Sequence, residues 1–563
     1  MPKVTIDDRT IEVERGTNLV DAATEAGVQI PHYCYHPRLS VVGQCRMCLV
    51  QIDGMPKLQA GCSTQVMKDG MVVRTDSPEV REAQKGMMEF FLINHPLDCP
   101  ICDQAGECGL QDYAFKHGQA FSRFQYEDKR TYPGRERIPL GPNVVLNMNR
   151  CIQCTRCVRF TREVSQTGEL GFFNRGARTE IGTFPGKPLD GPLASNVVDI
   201  CPVGALTSTR FRFAERVWYL DKRPSLCTGC DVGCNVTLEH RRGQIRRYKP
   251  RANPEVNDFW MCDYGRSSFE RYYELPRLAA PRVRRDDRVV PASWSHALEA
   301  VHQALAGGGR TAILGSGNLT TEEAWLLARL AEAAGPAAGT QAGETPAVEL
   351  PLAVEQGPRW TIPNPSGGIT GSGDTTPNRR GAELAGFSTA AAEGLLTGTA
   401  TGYDVLFVAD SDFGSPAHDE AAVERLRGTA RFLVVMGWAE TPLARAADVV
   451  LPVATHAERE GTFVNVEHRL QRFETAFPPP AQVRPATDAL TDLLAFWDEG
   501  WRGARVADVF ARMAAAVPAL AGIEFEELPA QGVALATGGA VGAGAGPSGG
   551  SATVHTAEPP AGA

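Results

Sequence analysis

The chain has 563 residues, 43% hydrophobic and 22% charged, a globular composition long enough for three to four domains. Its 57 Lys and Arg against 66 Asp and Glu give a net charge of −9, which lacks the basic footprint of a nucleic-acid binder. No apolar run reaches the ~18 residues of a membrane span, and the start, MPKVTIDDRTIEVERG, has no signal-peptide shape. All fifteen cysteines lie between Cys34 and Cys262. An odd count crowded into one half does not suit a secreted disulfide framework; in a reducing cytosol it reads as metal ligation.

At the N-terminus, VTIDDRTIEV predicts two short strands about an Asp-Asp turn. TNLVDAATEAGV then predicts a helix capped by Thr17 and stopped near Gly27. Cys34, Cys45, Cys48 and Cys62 follow, spaced C-x10-C-x2-C-x13-C. Hairpin, helix and cysteine loop in that order match a plant-type [2Fe–2S] ferredoxin, whose own C-x4-C-x2-C loop is shorter. A zinc site built on the Cys45–Cys48 pair is the alternative.

HPLDCPICDQAGEC carries His95, Cys99, Cys102 and Cys108, spaced H-x3-C-x2-C-x5-C. Three thiolates leave one position of a tetrahedral set open, and His95 is the nearest residue able to fill it. An imidazole in place of a thiolate removes negative charge from a [4Fe–4S] cluster and should raise its potential. Zinc held by the same three cysteines and one histidine is the alternative.

Cys151, Cys154 and Cys157 form C-x2-C-x2-C, and Cys201 follows with Pro202 beside it. Two-cluster bacterial ferredoxins use C-x2-C-x2-C-x3-C-P twice, and the fourth Cys of each run serves the other run's cluster. On that template the fourth position of the first run is Thr161. The first three positions of the second are Gly191, Ala194 and Val197. The second run has lost its own three ligands and kept the crossing one; the first has kept three and lost the one that served its neighbour. The survivors, Cys151, Cys154, Cys157 and Cys201, make one complete [4Fe–4S] set, and a zinc site gives no reason for so complementary a loss. Arg150, Arg156 and Arg159 flank this set. Either they offset the negative charge of a thiolate-ligated cluster or they are simply exposed.

Cys227, Cys230, Cys234 and Cys262, spaced C-x2-C-x3-C-x27-C, form the last set, [4Fe–4S] or zinc when taken alone. Fifteen cysteines and His95 give four sets of four with nothing left over. One [2Fe–2S] and three [4Fe–4S] clusters, about fourteen irons, are useful as a row of one-electron carriers.

Beyond Cys262 the pattern changes. RTAILGSGNLTTEEAWLLARLAEAAG predicts strand, turn and helix, while DVLFVADSDF and RFLVVMGW suit buried parallel strands. Helices flanking a parallel sheet are expected here. LGSGNLT is not G-x-G-x-x-G, so an ordinary strand–helix turn is expected there. The Gly/Ala-rich chain from about 531 has few large apolar residues and is expected to be disordered.

IPHYCYHPRLSVVGQCRMCLV, HPLDCPICDQAGECGLQDYA, NRCIQCTRCVRF and DICPVGALTS resemble the family of large iron–sulfur subunits (the G subunits) of NADH-quinone oxidoreductases, respiratory complex I, over residues 1 to about 275. The resemblance implies that the four sets hold, in order, a [2Fe–2S], a His-ligated [4Fe–4S], an all-Cys [4Fe–4S] and an extra [4Fe–4S] off the main path. It implies partners in the complex's hydrophilic arm: a flavin- and NADH-binding subunit, a small [2Fe–2S] subunit and a ferredoxin-like two-cluster subunit. Electrons would pass from flavin toward quinone. The chain would lie on the cytoplasmic face of the membrane, peripheral and held only through the complex, with no nucleic-acid partner. SLCTGCDVGCNV, WMCDYGR and ETPLARAADVVLPVATHAEREGTFVNVEHRLQR are similar to molybdopterin oxidoreductases. No Cys follows Cys262, and Tyr264 stands where those enzymes often place a Lys, so that half is expected to be non-catalytic, with no molybdenum cofactor.

The expected fold class is multidomain α+β and α/β. A β-grasp [2Fe–2S] ferredoxin domain is expected over 1–78, and a [4Fe–4S] segment with one histidine and three cysteine ligands over 79–118. A ferredoxin-like [4Fe–4S] domain with one cluster lost follows over 140–212, then a molybdopterin-oxidoreductase-type [4Fe–4S] domain over 219–275. A reduced molybdopterin-oxidoreductase-like α/β domain is expected over 276–530 and a disordered tail over 531–563. The expected function is electron transfer within an NADH:quinone oxidoreductase, with no complete catalytic site in this chain alone. Rival readings are the large subunit of an NAD-linked formate dehydrogenase and a zinc-stapled interaction protein.

Overall fold

The computed structural model describes residues 1–286, 288–335, 348–410 and 412–536. The chain divides into two compact units, Met1–Leu220 and one that begins at Asp221.

In the first unit, β1 (Lys3–Ile6) and β2 (Arg9–Glu12) pair antiparallel with Ile6 opposite Arg9. Asp7 turns the chain at φ 52°, a conformation Asp tolerates better than most side chains. Helix α1 (Leu19–Glu25) is capped by Asn18 rather than Thr17: its Oδ1 accepts the Val20 and Asp21 amides at 3.0 and 3.1 Å. Asn caps at least as well as Thr, and the Thr17 amide turns back to the Glu14 carbonyl. Gly27, at φ 68°, ends the helix. β3 (Leu49–Ile52), β4 (Gln59–Ala60) and β5 (Met71–Arg74) complete a sheet of order β2-β1-β5-β3-β4, with β1 and β5 parallel. Its core of Val4, Ile6, Leu19, Val20, Val50 and Val73 also contains Cys48 and Cys62, so the cysteine loop is anchored in the fold.

Two helices follow, α2 (Pro78–Leu92) and α3 (Gly109–His117). Ser77 caps α2 and Pro78 fills its first turn. Tyr33 packs on Phe91 and Tyr113 with ring centroids 4.9 and 5.3 Å apart, fastening the residue before Cys34 to both helices. The ferredoxin-like part comprises β6 (Ile138–Pro139), β7 (Val144–Leu146), α4 (Arg156–Glu163), β8 (Leu170–Phe173), β9 (Glu180–Thr183), α5 (Asn196–Asp199) and β10 (Leu206–Ser208). β10 pairs with β7 antiparallel. That pairing holds the segment after Cys201 beside the strand that leads to Cys151.

The second unit opens with an antiparallel sheet of β11 (Asp221–Leu226), β12 (Asn235–Arg241) and β13 (Gln244–Pro250). A short helix, α6 (Asp263–Ser267), starts directly after Cys262. A seven-stranded sheet follows, in the spatial order Arg288–Pro291, Arg282–Arg285, Val449–Pro452, Ala430–Gly437, Tyr403–Val408, Thr311–Ser316 and Leu352–Ala353. The last five strands are parallel. The first two form an antiparallel hairpin, so the sheet is mixed at one edge instead of parallel throughout. Arginines on that hairpin suit an edge that must not recruit another strand. Ile313, Phe407, Val434 and Leu451 face one core; Leu314, Leu406, Val435 and Val450 face the other. Burial on both faces explains the unbroken apolar runs in the sequence.

The stretch expected without structure from 531 begins with order. Val533–Ala534 pairs with the strand Arg469–Phe473, Leu535 is buried in the sheet's core, and Arg469 Nη1 donates to the Gln531 and Gly532 carbonyls at 3.3 and 3.1 Å. The rest of that expected tail, 537–563, lies outside the described residues. Among the described residues no helix is long and apolar enough to cross a membrane.

Candidate metal centres

The first loop draws four sulfurs together. The Cys34 amide donates to Cys45 Sγ at 3.5 Å. Hydrogen bonds from Cys45 and Cys62 hold the Cys34 thiol far below the usual range. Cys62 is pushed far up by its bonds to Cys34 and Cys48. Crowded thiols share protons in this way to avoid adjacent negative charges. Iron bound by all four sulfurs would supply the positive charge that those protons supply otherwise.

In the second set, Cys99 opens a one-turn helix, Cys99–Ile101, and Cys108 stands at the N-terminus of α3. Burial pushes both Cys102 and Cys108 up, Cys108 to about 11, and each also senses Cys99. His95 is held neutral, with burial and then Arg150 lowering it to about 4. The neutral imidazole is the form that ligates metal. Arg150 faces Cys102 as well and pairs with Asp98 at 2.9 Å. The structure therefore sets Cys102 and His95 within the same Arg150–Asp98 surroundings, while Cys99 is exposed.

The third set encloses a cavity. Cys151, Cys154, Cys157 and Cys201 line it together, with Leu146, Ile152, Ile181 and Val203 among its apolar walls. Gln153 and Thr155, between the first three cysteines, adopt φ of 54° and 70°. These are uncommon values for non-glycine residues. The turn lets the Gln153 amide donate to Cys151 Sγ at 3.4 Å. Burial pushes all four thiols up, Cys201 to about 12. Four thiolates in such a cavity need a cationic centre to offset their desolvation. Among the described residues, no three His, Cys, Asp or Glu side chains converge on a point as they would around one ion; the third set instead surrounds a volume.

Where a second ferredoxin cluster would need ligands, the chain is packed. Thr161, Ala194 and Val197 are buried, and the Glu169 carboxylate accepts the Asp190 and Gly191 amides at 3.0 and 2.8 Å. The second and third sets are neighbours: Cys108 Sγ lies 3.8 Å from the Pro202 carbonyl. A Cβ added to Gly204 would stand 2.3 Å from Cys102 Sγ, so this glycine is required by close approach.

In the second unit, the Cys227 amide donates to the Cys234 carbonyl at 2.8 Å, closing the loop that holds the first three cysteines of the fourth set. Gly229 and Gly265 amides donate to Cys227 and Cys262 Sγ at 3.4 and 3.2 Å. Burial raises these thiols too, Cys262 to about 12. A Cβ on Gly265 would meet Cys227 Sγ at 2.7 Å. Sequence reasoning missed Gly204 and Gly265. Their signal was a glycine three residues after a candidate cysteine ligand.

Five family models match the chain in order. They are the 2Fe-2S iron-sulfur cluster binding domain over 2–78, the NADH-ubiquinone oxidoreductase-G iron-sulfur binding region over 84–123 and the ferredoxin-like domain of NADH-quinone oxidoreductase subunit 3 over 141–207. The molybdopterin oxidoreductase Fe4S4 domain matches 220–274 and the molybdopterin oxidoreductase family 379–495. The NADH-quinone oxidoreductase G subunit of Streptomyces coelicolor is 43% identical over 335 residues, 59% of this chain and 39% of that protein. This chain is similar to the G subunits. The one from Rickettsia bellii is 44% identical over 301 residues, 54% of this chain and 43% of that protein. The mitochondrial NADH-ubiquinone oxidoreductase 78 kDa subunit of Neurospora crassa is 40% identical over 303 residues, 54% of this chain and 40% of that protein. The matches thus span about two-fifths of the length of these relatives. A solved NAD+-reducing [NiFe]-hydrogenase chain aligns at 31% identity and TM-score 0.34, covering 38% of this chain and 91% of that one.

Proposed function

We propose that this chain is the electron-transfer subunit of an NADH:quinone oxidoreductase that carries one [2Fe–2S] and three [4Fe–4S] clusters. Cys34, Cys45, Cys48 and Cys62 hold the [2Fe–2S] cluster. His95, Cys99, Cys102 and Cys108, then Cys151, Cys154, Cys157 and Cys201, then Cys227, Cys230, Cys234 and Cys262 hold the [4Fe–4S] clusters. The observation that carries this reading is the cavity shared by Cys151, Cys154, Cys157 and Cys201. It joins a C-x2-C-x2-C run to the one distant cysteine that a halved ferredoxin keeps. When bound, each cluster stores and releases one electron.

The protein's part is to supply thiolates, to aim backbone amides at their sulfurs and to wall off water. The partners are the flavin- and NADH-binding subunit, the small [2Fe–2S] subunit and the two-cluster ferredoxin-like subunit of the same complex, on the cytoplasmic face of the membrane. The second unit serves as a scaffold without molybdenum chemistry, and its cluster stands off the main path. What supports this is the lack of any cysteine after Cys262.

The test is iron, zinc, molybdenum and acid-labile sulfide content of anaerobically purified protein, with low-temperature EPR of the reduced sample. About fourteen irons with matching sulfide are expected. Zinc without sulfide would remove the electron-transfer reading, and stoichiometric molybdenum would restore the formate dehydrogenase one. His95→Cys is expected to retain the second cluster and lower its potential, because thiolate adds negative charge. A tenfold fall in its reduced-to-oxidised ratio corresponds to about 59 mV for one electron. A potential identical to wild type would mean that His95 is no ligand.

A further inference from the structure

Helix α4 carries Arg156, Arg159 and Glu163 at spacings that share one face, and that face meets the first cysteine loop. Ser40 donates to Glu163 from its amide and hydroxyl at 2.7 and 2.6 Å. Arg159, buried, donates to the Cys34 and Ser40 carbonyls and, through Nε, to Thr155 Oγ1 at 2.9 Å.

Arg156 goes further, because its two ends belong to different cysteine sets. Nη2 donates to the carbonyl of Tyr35, next to Cys34. Nη1 donates to the carbonyl of Ile200, next to Cys201, at 3.2 Å. The guanidinium also borders the cavity of the third set. It lines that cavity beside Cys154 and Cys201, and the charges of Cys34 and Cys45 in the first set also act on it. Its Nε is buried without a hydrogen-bond partner. An arginine held by two carbonyls offers its charge to both sulfur sets.

We infer that Arg156 is a positioning residue common to two redox centres: one guanidinium stabilises the reduced state of both the first and the third cluster and fixes the distance between their loops. This rests on the cluster assignments proposed above. Reduction adds one negative charge to a cluster, and cluster potential follows local net charge. Loss of a shared cation therefore lowers two potentials at once, whereas a residue that only packs would leave both unchanged.

The experiment is an EPR-monitored redox titration of the assembled protein. Wild type comes first: absence of a [2Fe–2S] and a third-set [4Fe–4S] signal sinks the cluster reading itself, before any variant is made. With both signals present, Arg156→Gln is expected to lower both midpoints, each by a tenfold change in the reduced-to-oxidised ratio, about 59 mV. Arg156→Lys, which keeps the charge, is expected to stay within about threefold of wild type at both centres. Arg162→Gln, on the exposed side of the same helix, is expected to move neither. Unchanged midpoints in Arg156→Gln, or a shift at one centre alone, would overturn the inference. If Arg156→Gln fails to load iron, Arg156→Lys decides: loading with near-wild-type midpoints supports the charge role, and failure to load assigns Arg156 to packing.

Discussion

Cys201→Ser is expected to cost the chain one whole [4Fe–4S] cluster. Iron content should fall from about fourteen to about ten atoms per chain, with the third-set EPR signal gone and the [2Fe–2S] signal intact. Cys201 closes a cavity whose other three sulfurs sit 44 to 50 residues earlier in the chain, between Cys151 and Cys157. Burial already pushes the Cys201 thiol to about 12. A serine hydroxyl is less acidic still, and it offers a hard oxygen where iron–sulfur clusters select soft thiolate. The change is close to isosteric, and the β10–β7 pairing next to it involves backbone groups that serine keeps. Loss of the cluster would therefore be loss of a ligand, not of the fold. An unchanged iron count and an unchanged set of signals would remove the halved-ferredoxin argument, and with it the main support for the functional reading.

Ligand spacing was legible because it depends on chemistry that spans few residues. Cys151, Cys154 and Cys157 lie close together in sequence, and the template positions Thr161, Gly191, Ala194 and Val197 pointed to Cys201, which lines the same cavity. The buried strands of the second unit were legible for a similar reason. Strands covered on both faces have to be apolar along their buried length, and VLFV and FLVVMG are.

What stayed hidden is set by contacts between residues far apart in sequence. Arg156 and Arg159 flank cysteines in the sequence whether they are buried or exposed; only the docking of α4 on the loop around Cys34 shows that Arg159 is buried and Arg156 half-buried. Gly204 reads as a turn glycine until the fold brings Cys102 Sγ to 2.3 Å from where its Cβ would be. The choice of Asn18 over Thr17 as cap was lost for a smaller reason. Two adjacent residues are both good caps, and the competing Thr17–Glu14 turn decides between them.

The start of the helix Thr321–Ala333 shows both limits in one place and gives the largest expected stability effect. Its capping box joins Thr320 and Glu323. Glu323 donates its amide to Thr320 Oγ1 at 3.1 Å, and its carboxylate accepts the Thr320 amide at 2.9 Å. The partner that the sequence did not reveal is Arg459. Its Nη1 donates to both Glu323 oxygens at 2.7 Å, and Nη2 donates to the Asn318 carbonyl at 2.7 Å. Side-chain exposure is 10% for Arg459 and 0% for Glu323, so neither charge has much water to fall back on. Glu322 reinforces the same seam, accepting the Thr462 amide and hydroxyl at 3.0 and 2.8 Å.

Glu323→Ala leaves Arg459 buried without its counter-charge and removes half of the cap. Such a loss is expected to destabilise the second unit by about 3–5 kcal/mol, where an exposed pair would change stability by about 1 kcal/mol or less. Amide hydrogen exchange across Thr321–Ala333 would read it locally, free of the assumption that the whole chain unfolds in one step. The double variant Glu323→Met with Arg459→Met separates the two ways of losing the pair. Apolar replacement of both partners leaves no orphaned charge, so its loss of protection should be smaller than that of Glu323→Ala. Equal losses would show that shape, rather than the uncompensated guanidinium, sets the stability of this seam.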